Sequence, residues 1–426
     1  MVYYMNKNFS ITVTNLSFMA SSRPWFHHPW QFKESALFTI FLLVAGFGLQ
    51  FIAQGAPLQA PRLPMNAMLL TLYALLLFGV GLSFRNRPFV QWLGSIPLGL
   101  SLIVAIALLS LIGGIVPQEG EMAVAWMAQW GFYHIFTSIP FVLAILLFLA
   151  NLGIALSWRI IPFSVKNLQF ILFHGGFWLT VAGSMAGSSD LTRLVVPLYE
   201  GRAGNLGYNR EGNATEQLPF AITLHDFSLE EYPPQLLVYN PKTDTMLLER
   251  SKSVTQVRKG MEASWNNLHV KVLEYFPSAL PTSNGEAVAT TSNDGIPFAN
   301  VAVTTPTGTY TTWLTTGSPT IKPDAAEING ILLIMAPGAP KAFRSGITLE
   351  DSNGNKRDAM LEVNKPVDMM GWKLYQMGYD EGAGRWSQLS LVEAIRDPWL
   401  PVVYTGFFMM MAANLLFFWN GIKSRN

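Results

Sequence analysis

The hydrophobic pattern changes period along the chain. Long, nearly unbroken apolar runs lie near residues 35–54, 66–84, 96–116, 135–157, 168–187 and 399–419. Each is long enough, and poor enough in charge, to cross a bilayer as a helix. From Leu191 to Ile395 the pattern is different. Short β-branched or aromatic runs, several alternating with period two, are separated by Gly, Pro, Asn and Asp. Examples are Phe220–Leu224, Leu268–Leu273, Asn300–Thr304, Thr309–Thr316 and Trp372–Gln376. Such spacing predicts an antiparallel β domain, a sandwich or an open barrel. Ser278–Gly295 is rich in Ser, Thr, Asn and Gly and reads as a flexible loop.

The expected fold is therefore an α-helical membrane protein with six spans and a large, mainly β extracytoplasmic domain inserted before the last span. Residues 1–34 form a cytoplasmic N-terminal segment and 35–90 two helices. Residues 91–190 form three further helices, 191–397 the β-rich domain, and 398–426 the final helix with a short tail. Residues 1–20 hold Lys7 and a mixed run broken by Thr, Asn and Ser, which does not read as a cleaved signal peptide.

Charge sets the orientation. Arg23 and Lys33 precede the first run, Arg85 and Arg87 follow the second, and Arg159 and Lys166 lie between the fourth and fifth. Lys423 and Arg425 follow the sixth. The alternate loops carry Arg62 alone, or Glu119 and Glu121. The excess of cations predicts both termini in the cytoplasm and the large domain outside. Trp126, Trp130 and Tyr133 fall at the expected outer aromatic belt, and Trp25, Trp30 and Trp419 at the inner one.

Composition narrows the chemistry. Only 13% of the chain is charged, about half the roughly 25% of soluble domains. A net charge of +1 gives no case for nucleic acid. With no cysteine, the outer domain must hold without disulfides, and thiol catalysis or a Cys-x-x-Cys redox site is excluded. No internal repeat, phosphate loop or dinucleotide fingerprint is present.

The fifth run carries two faces. Gly176, Thr180, Gly183, Ser184 and Gly187 form a small-residue stripe suited to close approach by another helix. His174 lies off that stripe, with Phe170 at i−4, Phe177 at i+3, Trp178 at i+4, Val181 at i+7 and Met185 at i+11. It stands about 10 Å into the helix at 1.5 Å per residue. An ionisable group at that depth is a functional-site candidate by default.

One reading is a neutral imidazole hydrogen-bonded to a neighbouring helix. Another is an axial ligand to haem iron, with Phe170, Phe177, Trp178 and Met185 lining a large apolar macrocycle. Zinc needs three or four ligands, and no second ligand sits at suitable spacing. A proton relay lacks a second deep acid or base. His134, at the outer end of the fourth run, is an interfacial anchor or a second, weaker ligand candidate. His27 and His28 read as interfacial packing, His225 and His269 as surface or fold residues.

Several segments in shared order, over roughly residues 93–420, resemble the ResB (CcsB) family of cytochrome c biogenesis proteins, the System II haem-handling pathway. They include Leu111-Ile-Gly-Gly-Ile-Val-Pro-Gln, Phe132-Tyr-His-Ile-Phe, and Phe173-His-Gly-Gly-Phe-Trp-Leu-Thr-Val-Ala-Gly-Ser. In the outer domain they are Leu218-Pro-Phe-Ala-Ile-Thr-Leu-His-Asp-Phe, Val363-Asn-Lys-Pro and Gly371-Trp-Lys-Leu-Tyr-Gln-Met-Gly-Tyr-Asp. Asp397-Pro and Val403-Tyr-Thr-Gly close the series. The family core corresponds to runs three to six, leaving the first two as additions. Asn151-Leu-Gly-Ile-Ala-Leu-Ser stands where many relatives carry a cysteine.

The resemblance implies a subunit of a cytochrome c synthase, not catalytic alone, that carries haem b non-covalently across a bacterial inner membrane. It implies a CcsA/ResC-type membrane haem protein as partner, whose tryptophan-rich haem segment this chain lacks. It implies apocytochrome c as the acceptor, and a thiol reductant protein is a further expected contact. The alternatives are a scaffold for the partner that does not touch haem, and a membrane-anchored sensor or solute transporter.

Overall fold

The computed structural model describes residues 28–118, 124–209, 214–247, 256–265, 268–282, 286–292 and 294–423, without the side chains of 420–423. Residues 1–20, Arg23, Trp25, His27, Glu119, Glu121 and Arg425, named above, lie outside them, as does the side chain of Lys423. The chain falls into two compact units, one holding the helices and the other spanning Thr192–Arg396.

The helical unit contains α1 (Phe32–Ile52), α2 (Met65–Ser83), α3 (Pro88–Leu93), α4 (Ile96–Ile115), α5 (Ala125–Gln129), α6 (Ile139–Ile160), α7 (Leu168–Gly187) and α8 (Leu400–Lys423). Six of these are long and apolar enough to cross a membrane. Their outer surface is apolar too: Phe41, Leu72 and Phe408 are 69, 63 and 63% exposed. A soluble bundle would place polar residues there. Pro97 and Pro140 sit in the first turns of α4 and α6, where no intrahelical N–H is missed.

The fourth run departs from its expected bounds. Gly131 takes a left-handed φ of 75°, and Phe132–Thr137 winds as a 3₁₀ turn before Ser138 and Pro140 open α6. These residues are apolar enough to pass for the start of the helix. The short helices α3 and α5 have no counterpart in the hydrophobic pattern either.

Inside the unit, buried polar side chains satisfy specific backbone groups. Asn151 donates from Nδ2 to the carbonyls of Leu93 and Ser95 at 2.6 and 2.9 Å, capping the chain between α3 and α4. Gln50, fully buried on α1, accepts from the Ile139 N–H and donates to the Ala56 carbonyl. Tyr73 and Trp158 bind the carbonyls of Leu146 and Gly81. These bonds join α1 and α2 to α6, and α1 also packs on α4. The first two helices are thus integral to this bundle.

In the second unit the strand pairs are antiparallel. An eight-stranded sheet runs, in spatial order, through Lys356–Glu362, Pro340–Glu350, Thr215–Glu231, Ala203–Tyr208, Thr192–Tyr199, Leu389–Arg396, Trp372–Tyr379 and Val367–Met369. The unit's first and last strands in chain order, Thr192–Tyr199 and Leu389–Arg396, pair in register from Thr192↔Arg396 to Tyr199↔Leu389, so the chain enters and leaves this unit side by side. A sheet of Gly308–Thr315, Ile296–Thr305, Leu268–Pro281 and Glu262–Trp265 shares a core with one of Ala325–Ile328, Ile331–Ala336, Gln235–Asn240 and Thr245–Leu247. A separate core of Leu198, Phe220, Ile222, Leu374 and Val392 backs the large sheet.

All five strand-like runs read from the sequence lie on strands. The loop reading of Ser278–Gly295 is corrected in part. Leu268–Pro281 extends into it, and Ala287–Ala289 pairs back on Ala279–Pro281. Ala279 and Ala287 are buried beside Ile296 and Phe298, so small apolar residues at alternate positions seat a strand within a Ser/Thr-rich composition.

Candidate functional site

α7 places its small residues against α8. A Cβ on Gly176 would lie 2.5 Å from the Gly406 carbonyl oxygen, and one on Gly187 would lie 2.5 Å from the Trp399 ring. Gly183 meets Val402, while the Thr180 hydroxyl turns back to the Gly176 carbonyl at 2.9 Å. The stripe predicted to admit a close helix therefore receives the last one. Ser184 stays exposed.

His174 lies on a different face and is partly buried. Its Nδ1 is 3.1 Å from the Phe170 carbonyl oxygen, one turn earlier. Its ring stacks on Phe170 at 4.0 Å and meets Phe173 edge-on at 5.3 Å. With a carbonyl as partner, Nδ1 carries the proton, and Nε2 is left as the bare acceptor. Among the described residues nothing bonds Nε2. This is the arrangement by which a metal-binding imidazole is oriented: one nitrogen tied to a carbonyl, the other open.

The other lining candidates divide. Phe170 and Phe177 stand within one turn of His174. Phe177 is 36% exposed and meets Phe148 of α6 edge-on, and Phe173 is 39% exposed. Trp178 turns into the bundle, where its indole N–H donates to the Leu149 carbonyl at 2.9 Å and its ring packs among Leu77, Ile154 and Leu156. Met185 lies three turns on, roughly 16 Å along the axis.

His134 is in the 3₁₀ turn ahead of α6, with non-helical φ −137° and ψ 41°. Trp178 and Phe177 bond or touch Leu149 and Phe148, which fixes the level of α7 against α6. On that scale His134 and His174 are separated by roughly 27 Å along the helix axes. The structure does not bring the two histidines together. Gln118 holds the turn, accepting from the Ile135 N–H and donating to the Phe132 carbonyl.

The other histidines among the described residues are otherwise engaged. His28 stacks on Trp30. His225 bonds the Thr348 hydroxyl at 2.6 Å, and His269 bonds Ser264 near Glu262. No group of three metal-ligating side chains exists among the described residues.

An apolar cavity of about 190 Å³ lies between α2, α6, α7 and α8, lined by Leu77, Phe78, Leu156, Trp178 and Met409. It does not include His174 and is smaller than the roughly 300–1,000 Å³ of typical ligand pockets. Nε2 of His174 does not open into this cavity.

One acidic residue at the end of α7 went unread in the sequence. Asp190 accepts from the Leu63 N–H at 3.0 Å, from Asn66 Nδ2 at 2.6 Å and from Trp399 Nε1 at 2.8 Å. Partial desolvation lifts its carboxyl. The three hydrogen bonds and the Arg62 charge outweigh that and hold it below the usual carboxylate range. It clasps the starts of α2 and α8 to the end of α7. Its partners lie more than a hundred positions away in sequence, so no local signal marks them.

Comparison with known proteins bears on the second unit. The model of the ResB-like family matches residues 333–393. The chain is ResB-like there. The match is consistent with a ResB (CcsB) family protein and points to cytochrome c biogenesis. It covers Gly371–Asp380, one of the segments that carried the resemblance in the sequence, and ends before the last helix. No curated protein matches the chain.

Proposed function

We propose that this ResB-like chain is the haem-conducting subunit of a System II cytochrome c synthase, with haem as cargo and His174 as one axial ligand during transit. The supporting observation is the state of the His174 ring. Its Nδ1 is tied to the Phe170 carbonyl, its plane is held by Phe170, and its Nε2 is open on an incompletely covered flank. An open acceptor within an apolar helix is costly to leave unpaired. Iron, or a donor from another protein, relieves that cost.

The chain lies in a bacterial inner membrane with both termini cytoplasmic and Thr192–Arg396 on the outer side. Haem enters from the cytoplasmic side, since His174 lies in that half of α7. The cavity between α2, α6, α7 and α8 is only about 190 Å³ and leaves His174 outside it; in this reading a CcsA/ResC-type partner supplies the second wall and a second histidine. Haem then passes to the partner's outer site, where thioether bonds form on apocytochrome c. Phe170 and Phe177 flank the ring. Trp178 and Met185 belong to packing and to a more distant level of the helix.

The test is cytochrome c maturation in cells carrying His174→Ala or His134→Ala, with the amount of inserted protein measured separately. The expected result is loss of covalent haem in His174→Ala at normal protein level, with His134→Ala close to wild type. Normal maturation in His174→Ala would favour the scaffold reading, in which the chain holds the partner without touching haem.

A further inference from the structure

A cavity within Thr192–Arg396 has a volume of about 710 Å³, inside the range of ligand-sized pockets. Its wall comes from five stretches of the chain, and the ResB-like segment supplies Pro337–Pro340 and Tyr379 through Trp386. Six of its twenty lining residues are prolines: Pro234, Pro297, Pro319, Pro323, Pro337 and Pro340. Proline offers a carbonyl and no N–H.

Six backbone donors of the remaining wall are consumed locally. Gly382 N–H binds Asp380 Oδ1, Ala383 and Gly384 N–H bind the Asp380 carbonyl, and Trp386 N–H binds the Ala383 carbonyl. On the opposite side Gly317 N–H binds the Thr315 hydroxyl and Ser318 N–H the Ile321 carbonyl. The wall is therefore rich in acceptors and poor in donors.

Charge points the same way. Glu231 and Glu381 line the cavity and make no ion pair or side-chain hydrogen bond among the described residues. Burial lifts the Glu231 carboxyl above its ordinary range, partly offset by Arg385. Burial also raises the Tyr379 hydroxyl, as do Glu381 and Glu231. Arg385, the one cation of the lining, has its guanidinium 5.6 Å from the Trp386 ring. Two carboxylates against one guanidinium leave the cavity net negative. Tyr379, held by Phe227 and Phe343, and Trp386 give it fixed aromatic walls.

We propose that this cavity is a docking site for an extended polypeptide segment bearing lysine or arginine. The backbone N–H groups of the segment meet the carbonyl-rich wall, its cationic side chain meets Glu231 and Glu381, and its stem lies on Tyr379 and Trp386. Extended segments are read by aromatic-lined grooves, and aromatic faces attract cations. The site is independent of His174 and of haem.

The test uses the full chain in detergent and fluorescein-labelled peptides of alternating alanine with lysine, glutamine or glutamate, read by fluorescence anisotropy. The lysine peptide should bind in a salt-sensitive manner, with the glutamine peptide weaker and the glutamate peptide unbound. The isosteric double variant Glu231→Gln/Glu381→Gln should weaken the lysine peptide by about tenfold or more, as expected for loss of close charge pairs. Glu381→Lys, at an exposed position that folding tolerates, should abolish it. Glu350→Gln, at an exposed ion pair with Lys356, should leave it unchanged. Equal binding of the lysine and glutamate peptides, or an unaffected double variant, would overturn the proposal.

Discussion

The Trp399 indole N–H donates to a carboxylate oxygen of Asp190 at 2.8 Å, across 209 positions of sequence. The same carboxylate binds Leu63 and Asn66, so one acidic side chain gathers three helix ends. Trp399→Phe keeps most of the ring and removes the donor. It should cost about 1–2 kcal/mol, seen as a lower unfolding temperature in detergent with the helical content unchanged.

The pH dependence of that clasp has a definite sign. The folded-state pKa of Asp190 lies below its ordinary value of 3.8. Its contribution is complete above the ordinary value and disappears as pH falls through the folded value. The difference in unfolding temperature between wild type and Asp190→Asn should be constant from neutral pH to mild acid. It should shrink below about pH 4. A difference that grows in acid would contradict the clasp.

Gly406 and Gly176 place two backbones in contact. A Cβ on Gly406 would lie 2.2 Å from the Thr180 hydroxyl and 2.5 Å from the Gly176 carbonyl oxygen. Neither is the end of a long flexible chain, so α8 must move. Gly406→Val should destabilise the bundle by about 1–3 kcal/mol or more. Gly114→Val, where a Cβ meets nothing within 4 Å, should be tolerated. Thermal unfolding of the two variants side by side checks this.

Asn151 is buried on α6, where its amide satisfies two carbonyls. Asn151→Leu leaves the Leu93 and Ser95 carbonyls without that donor at a buried position. The expected loss is about 1–3 kcal/mol, measured as a lower unfolding temperature. Asn151→Cys should lose a similar amount, since a thiol is a weak donor.

Much of this architecture was legible in the sequence because the physics is local. A run of apolar residues long enough to satisfy its own backbone in lipid announces a helix, and period-two alternation announces a strand. The stripe from Gly176 to Gly187 announced a close helix contact, although not that α8 makes it. The turn at Phe132–Thr137 was hidden because its residues are as apolar as the helix they precede. His174 was legible as a lone imidazole, but its locked Nδ1 and open Nε2 required coordinates. Trp178 looked identical to Phe177 by spacing, and only the position of Leu149 separates them. The Asp190 clasp and the proline-lined cavity are assembled from distant segments and left no local trace.

The same geometry separates Trp178 from Phe177 by experiment. Trp178→Phe removes the bond to Leu149 and should lower the unfolding temperature while leaving cytochrome c maturation near normal once protein levels are matched. Phe177→Ala should do the reverse, with covalent haem falling more than stability.

The most direct measurement on His174 is the visible spectrum of the chain purified with its haem-protein partner and reduced. The predicted result is a low-spin, bis-histidine haem spectrum in wild type, lost in His174→Ala and restored by added imidazole. An unchanged spectrum in His174→Ala, with haem still bound at wild-type occupancy, would show that Nε2 of His174 does not ligate the iron.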